Sequence, residues 1–377
     1  MLFTTTLLIY KLAYPVPRTW YQHYLYQAQS FLKLQVDIPN LPDYYQDKIV
    51  ISDKILTPFP PIPAVILIPF TLLSKQITQE QVSVLFGAIN VVLVFFLIKK
   101  FTNEKTSALI SIFFGFGTVA FWSAVVGTTW YFAHTVAITL MLLSLISYKN
   151  DKYFLSGILF AMAALCRYPM IAGGLFFLLE LIKEPKKLFK FLIGAFIFIP
   201  IQFGYNFLRF GNILETGYVK VYQGYVSSGG YAYTIRQLIN PNLPYFGYMD
   251  IRNIPMHLYT FLIMPPEVSS RLIPFPSPYG MGIIFTTPLL LLALFPNLKN
   301  KLQRNLFAGA AAIAFIDFLH YMQGWVQFGY RFLLDFLPFL LIILAVKFKP
   351  NWKVLLLLAI SIAVNVWGVI WGIKLGW

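Results

Sequence analysis

Long apolar runs follow one another along almost the whole chain, and they constrain its fold more than any other feature. A helix that crosses a bilayer needs about 20 mainly apolar residues, and lipid admits only helices and closed barrels. Candidate spans lie at 2–14, 81–98, 107–126, 133–148, 153–165, 170–182, 188–208, 281–295, 306–320, 332–346 and 354–373. The sequence therefore predicts a single all-α polytopic membrane domain, residues 1–377, with about eleven transmembrane helices.

Composition indicates that lipid is the solvent of this chain. Of its 377 residues, 58% are hydrophobic and 11% are charged, whereas about a quarter of a soluble domain is charged. The formal charge of +15 comes from short basic clusters between apolar runs. Such clusters are typical of membrane orientation and not of a groove that follows phosphates, so nucleic-acid binding is not expected. The single cysteine, Cys166, excludes a disulfide framework and a cysteine-based metal site.

The proline-rich segment 58–73 decides the predicted topology. If this segment does not cross the bilayer, five basic clusters fall on the same side, which the positive-inside rule makes the cytoplasm. These clusters lie at 99–105, 149–152, 183–190, 299–304 and 347–353. We therefore predict that 58–73 is interfacial or re-entrant and that the N-terminus is cytoplasmic. Two large loops with interfacial helices then lie outside, the first outer loop (15–80) and the second outer loop (209–280).

Arginine is distributed differently from lysine in this topology. Seven of the eight arginines fall on the outer side, namely Arg18, Arg167, Arg209, Arg236, Arg252, Arg271 and Arg331. A guanidinium binds phosphate or carboxylate as a bidentate fork, which lysine cannot do. Each arginine alone is explained by anchoring of a helix end at the interface. The set favours a ligand that carries phosphate on the outer face.

Acidic residues are few, and their positions argue against an ion-coupled carrier. The first outer loop contains Asp37, Asp43, Asp47 and Asp53, four of only 14 acids. A carrier usually shows ionisable groups at mid-membrane and related halves, and neither pattern is evident. Asp317 and His320 are one helical turn apart, so we expect a buried hydrogen-bonded pair. Without further ligands these two residues do not make a metal site.

Six phrases spread over most of the chain carry a family resemblance. They are HYLYQAQSFLKLQVDIP (23–39), DKIVISDKILTPFPPIPAVILIP (47–69), GTTWYFAHTVAI (127–138), LCRYP (165–169), NFLRFGNILETGY (206–218) and FGYRFLLDFLPFL (328–340). In this order they resemble membrane glycosyltransferases of the GT-C fold. The branch is the bacterial one related to protein mannosyltransferases and lipid A aminoarabinose transferases.

The resemblance implies an inverting glycosyltransferase in the bacterial inner (plasma) membrane. Such an enzyme moves a sugar from a polyprenyl-phosphate donor to a lipid, glycan or protein acceptor at the extracytoplasmic face. An acid in the first outer loop acts as the general base, and basic residues hold the lipid phosphate. No cofactor is otherwise implied, although some branches use a divalent metal. The sugar and the acceptor stay open.

The sequence departs from this family where many relatives carry an acid pair. The stretch after the first span, 19–26, reads TWYQHYLY and has no carboxylate. Either the base has moved to another acid of the first outer loop, or catalysis is altered. Asp47 is the first choice because it begins the phrase that leads into the proline-rich segment, followed by Asp37 and Asp53. The alternative for each of these three aspartates is a solvent-exposed loop residue without a catalytic role.

For the lipid phosphate we favour Arg331, which opens a span after a short outer turn, and then Arg209 and Arg167. Three further residues are possible substrate contacts: His23, Glu215 and His134. His23 is alternatively a base or a structural histidine, and Glu215 is alternatively a brace for Arg209. We expect the two outer loops to enclose one cavity with Asp47 and Arg331 on opposite walls. The alternative functions are a non-catalytic or ligase-like protein that binds polyprenyl lipid, and then a transporter.

Overall fold

The computed structural model describes residues 1–13, 20–227, 234–236 and 245–377. Arg18, one of the predicted outer arginines, lies outside these described residues. The protein is mostly helical (66%). The sheet in the described ranges consists of two short antiparallel hairpins. The predicted all-α membrane class agrees with this structure.

Helices make up most of the described chain. In chain order the α-helices are α1 (Leu2–Ala13), α2 (His23–Phe31), α3 (Ile62–Leu73), α4 (Gln79–Ile98), α5 (Glu104–Phe116), α6 (Ala120–Val126), α7 (Thr129–Lys149), α8 (Tyr153–Ala164), α9 (Gly174–Leu181), α10 (Pro185–Phe196), α11 (Phe198–Phe210), α12 (Tyr218–Ser227), α13 (Ile254–Leu262), α14 (Ile283–Thr286), α15 (Lys301–Leu319), α16 (Leu333–Lys347) and α17 (Trp352–Lys374). The 3-10 helices are Tyr168–Gly173, Ile251–Asn253 and Pro288–Ala293. The strands are β1 (Ile49–Ile51), β2 (Lys54–Leu56), β3 (Glu267–Val268) and β4 (Pro274–Phe275).

Polar caps mark where several long helices begin. Thr78 and Gln81 form a capping box at the start of α4. Asn103, Asn300 and Asn351 each accept a hydrogen bond from a first-turn amide, at the starts of α5, α15 and α17. These caps satisfy amides that have no partner within the helix.

Five helices of the described ranges are long and apolar enough to cross a membrane: α4, α7, the continuous pair α10–α11, α15 and α17. The pair α5–α6, bent by 52°, makes a sixth if it is one span. Other predicted spans contain shorter helices. One of these, α8, has 12 residues and is about 18 Å long, short of a hydrocarbon core of about 30 Å. The count of eleven crossings therefore stays a prediction.

The long helices divide into a buried core and an apolar rim. The apolar window of α7 is 83% buried, and nearly every residue of α16 is buried as well. In contrast, the windows of α10–α11 and α17 are only 28% and 33% buried. Large apolar side chains such as Phe196 and Phe207 are exposed on this rim. A rim of this kind suits contact with lipid tails and not with water.

Described parts of the two outer loops are in contact, since the Tyr225 hydroxyl of the second loop donates to the Asp47 carboxylate of the first. In the first loop, Ile38, Leu41 and Tyr45 make a small core of their own, and β1 pairs with β2 with Ile49 opposite Leu56. Helix α3 has 12 residues and is about 18 Å long. It is too short for a straight crossing, and its placement at the interface stays a prediction.

We expect the turn between α4 and α5, which contains Asn103, to be cytoplasmic. A cysteine at Lys100, which is exposed, should react with a membrane-impermeant thiol reagent only after the cells are opened. The background would be Cys166→Ala, because Cys166 is the single native cysteine. Lys152→Cys is the control for the same side and Asp53→Cys for the opposite side. Labelling of Lys100→Cys in intact cells, with Lys152→Cys protected, would overturn the topology.

Candidate functional site

A cavity of about 610 Å³ lies between the two outer loops and the adjoining helix ends. Its wall is rich in aromatic rings, namely those of Trp20, Tyr21, Tyr24, Phe59, Trp130, Tyr131, Tyr168, Tyr218, Tyr225, Tyr248, Tyr321, Trp325, Phe332 and Trp377. Within the described part of the chain, its charged lining residues are Asp47, Arg167, Asp317 and Arg331. An apolar wall with a few convergent polar groups, at this volume, is typical of a small-molecule site.

Asp47 lies at a tight turn just before β1. Its φ of 58° is in the left-handed region, which Asp adopts more readily than most residues. The Trp130 Nε1–H group donates to one carboxylate oxygen at 2.9 Å, and the Tyr225 hydroxyl donates to the other at 2.9 Å. Burial raises the pKa of Asp47, while these two hydrogen bonds and the charge of Arg331 oppose that rise. A carboxyl with a raised pKa is suited to general-base chemistry.

Arg331 lies at the end of the turn before α16 and is only 9% exposed. Within the described ranges it has no ion-pair partner within 4.0 Å, and its Nε atom has no hydrogen-bond partner. The rings of Tyr131 and Phe332 lie 5.8 and 5.4 Å from its guanidinium carbon. A buried cation without a paired anion is costly, so a ligand anion is favoured here.

Arg167 also lines the cavity, but its guanidinium already binds carboxylates. Its Nη2 atom lies 3.0 Å from Asp335 Oδ2 and 3.7 Å from Asp317 Oδ1. His134 Nδ1 donates to the other oxygen of Asp335 at 2.7 Å. Arg167 is therefore already paired with protein carboxylates, and its role in binding the lipid phosphate stays a prediction. His134 is buried against Asp335, and it is not among the described residues that line the cavity.

The predicted pair of Asp317 and His320 is wrong. Asp317 instead faces Arg167, and His320 Nδ1 donates to the Met322 carbonyl at 2.9 Å. The reason is that α15 ends at Leu319 and His320 has an extended backbone. The helical spacing that would bring the two side chains together is therefore lost.

Arg209 holds the two outer loops together and is 5% exposed. Its Nη1 donates to the Thr57 carbonyl at 2.6 Å and its Nη2 to Asn206 Oδ1 at 3.1 Å. It also stacks on Tyr205, with 3.9 Å between the guanidinium carbon and the ring centroid. Arg209 is not one of the described cavity residues. Glu215 does not brace it, since the Glu215 carboxylate accepts from the Gly217 amide at 2.7 Å.

The remaining predicted residues of the first outer loop lie outside the described lining of the cavity. Asp53 is exposed at the turn between β1 and β2, and Asp37 is half-buried in the loop before them. His23 is fully buried, and its Nε2 donates to the Gln46 carbonyl at 2.8 Å. Burial lowers the pKa of His23 to about 3, so it is neutral at physiological pH. We assign His23 to holding the turn that precedes Asp47.

Sequence reasoning missed the side chains that contact Asp47. Trp130 is in the first turn of α7, and Tyr225 is on α12 of the second outer loop. A signal for the second was present, because residues 218, 221, 222 and 225 are apolar or aromatic at the spacing of one helix face. As for a metal, the described residues contain no group of three or more His, Cys, Asp or Glu placed to hold one.

The buried ion pair between Asp335 and Arg167 should contribute to the stability of the folded protein. Asp335→Asn would leave Arg167 without its principal anion, and breaking a buried pair typically costs about 3–5 kcal/mol. We expect a clearly lower unfolding temperature in detergent. The matched control is Asp250→Asn, which breaks the exposed pair between Asp250 and Arg252 and should change the unfolding temperature far less. Equal losses in the two variants would contradict the assignment.

Comparisons with known proteins leave the family open. No family model matches the sequence, and neither a curated protein nor a solved structure matches it.

Proposed function

We propose that this protein is a GT-C-like glycosyltransferase that moves a sugar from a polyprenyl-phosphate donor to an acceptor at the membrane face. One observation carries the proposal. The Asp47 carboxyl and the Arg331 guanidinium, which lacks an ion-pair partner among the described residues, line a single cavity. The two groups interact electrostatically, since the positive charge of Arg331 lowers the pKa of Asp47.

The two groups suit the two halves of the reaction. Asp47 accepts the proton of the acceptor hydroxyl, and the hydroxyl oxygen attacks the anomeric carbon of the donor. The bond from that carbon to the phosphate oxygen breaks, and the electron pair leaves with the polyprenyl phosphate. Arg331 stabilises the negative charge that develops on this leaving group. Attack from the face opposite the phosphate inverts the anomeric centre, and Asp47 then releases its proton to water.

An apolar edge of the cavity suits a donor with a lipid tail. Ile171, in the 3-10 helix Tyr168–Gly173, lines the cavity yet is 66% exposed. Ile316 also lines the cavity, and its helix α15 packs against this 3-10 helix. A prenyl chain could therefore leave the cavity between these elements and enter the surrounding lipid. We further propose eleven crossings in a bacterial inner membrane, with this cavity on the extracytoplasmic side.

Sugar transfer by the full-length protein tests the proposal. The protein would be reconstituted in liposomes with a panel of radiolabelled polyprenyl-phosphate monosaccharides and a bacterial lipid extract as acceptor. We expect release of free polyprenyl phosphate together with label on an acceptor. Donor binding without transfer, seen as a change in tryptophan fluorescence, would replace the enzyme with a lipid-binding protein. Movement of intact donor across the vesicle would indicate a transporter.

A further inference from the structure

Helix α12 presents one face to the rest of the protein. Tyr218, Val221, Tyr222 and Tyr225 are half-buried, whereas the other residues of this helix are exposed. The spacing i, i+3, i+4, i+7 places these four side chains on a single face. Tyr218, Val221 and Tyr225 line the cavity, and the Tyr222 ring packs on Tyr321 with 4.9 Å between centroids. The helix thus brings tyrosine hydroxyls of the second outer loop to the cavity.

Asp47 is restrained on several sides. The carbonyl of the preceding residue, Gln46, is bound by His23. One carboxylate oxygen accepts from Trp130 and the other from Tyr225. A carboxylate has about four lone-pair positions, so these two hydrogen bonds leave room for a hydroxyl to approach. The carboxylate is therefore oriented without being closed to an acceptor.

We propose that Tyr225 is a positioning residue for Asp47, through which the second outer loop orients the base, with Trp130 as its counterpart on the other carboxylate oxygen. This inference rests on the proposed role of Asp47. It adds two residues from different segments to the machinery of the cavity. Neither residue is assigned contact with the reacting atoms.

The other groups around Asp47 determine what the loss of Tyr225 should do. Among the described residues, the titratable or charged side chains that interact with this carboxyl are Tyr21, Tyr218, Tyr225, Tyr321 and Arg331. The hydrogen bond from Tyr225 lowers the pKa of Asp47, because a neutral donor stabilises the ionised carboxylate. Removing the hydroxyl should therefore raise the pKa, while the burial that already raises it stays.

Infrared titration of the carboxyl group tests this in the reconstituted full chain. The carboxylic-acid band that disappears in Asp47→Asn reports the protonation of Asp47. In Tyr225→Phe we expect its midpoint to rise by about one pH unit, the size of a hydrogen bond to a charged group. Tyr222→Phe is the matched control, since it removes a hydroxyl from the same helix face and leaves the midpoint unchanged. Trp130→Phe should raise the midpoint in the same direction.

The outcomes separate this inference from the proposed function. An unchanged midpoint in Tyr225→Phe, or an equal rise in Tyr222→Phe, overturns the positioning role of Tyr225, and an unchanged midpoint in Trp130→Phe overturns that of Trp130. If the midpoint rises as expected, the acidic limb of the pH profile for sugar transfer should move with it. A shifted midpoint in a protein that transfers no sugar keeps the positioning of Asp47 and rejects the glycosyltransferase.

Discussion

Asp47→Asn should lower the rate of sugar transfer by about 10²–10⁴-fold, the usual contribution of a general base. Asparagine keeps the shape of the side chain and a hydrogen-bonding oxygen but cannot take a proton from the acceptor. Donor binding should stay nearly unchanged, because the phosphate is held elsewhere in the cavity. Turnover and donor affinity would be measured separately in liposomes.

Asp43→Asn is the matched control for this variant. Asp43 belongs to the same loop, is fully exposed and pairs with Lys48, so its substitution should leave turnover near normal. Near-normal turnover in Asp47→Asn would remove Asp47 from the mechanism and direct attention to Asp37 and Asp53. If the Asn variants of all three are active, the first outer loop is not the catalytic one.

If Asp47 is the general base, turnover should depend on pH. Burial raises the pKa of Asp47 above its ordinary value, and only the ionised carboxylate accepts a proton. Turnover should therefore fall as the pH drops through this raised pKa and recover as the pH rises. The acidic limb should be absent from the residual activity of Asp47→Asn. A limb that survives in this variant belongs to another group.

Arg331→Lys should weaken donor binding as well as the rate. Lysine keeps the charge but loses the planar fork that binds two phosphate oxygens. Hydrogen bonds to charged groups are worth about 1.5–3 kcal/mol, so we expect donor affinity to fall roughly 10–100-fold. Arg331→Met, which also loses the charge, should bind the donor more weakly still.

Farnesyl phosphate, a short prenyl phosphate, is a suitable probe of this binding. Its affinity can be followed by tryptophan fluorescence, since Trp20, Trp130, Trp325 and Trp377 line the cavity. Arg271→Lys is the control, because Arg271 is exposed in the second outer loop and is not one of the described cavity residues. Equal affinity of the wild type and Arg331→Met would show that the phosphate lies elsewhere.

The helical class could be predicted because it depends on local composition. A run of apolar residues indicates a membrane helix wherever it occurs, and the five longest helices coincide with predicted spans. The number of crossings could not be settled in this way. Segments such as α8 and α16 are shorter than a bilayer core, so their crossing depends on tilt and packing, which the run of residues does not specify.

Within the candidate site, the sequence by itself determined which residues were worth considering, since ionisable groups are scarce in so apolar a chain. It identified Asp47, Arg331 and Arg167, all of which line the cavity. Only the tertiary structure decided which of these charged side chains are paired with another protein charge. Arg167 is paired because Asp335, 168 residues away, lies against it, and Arg331 lacks such a partner within the described ranges. Tyr225 reaches Asp47 across 178 residues. Whether a charged side chain is paired or left available to a ligand depends on the residues that pack beside it. Packing brings together residues that are far apart in the sequence, so no local sequence pattern reveals these contacts.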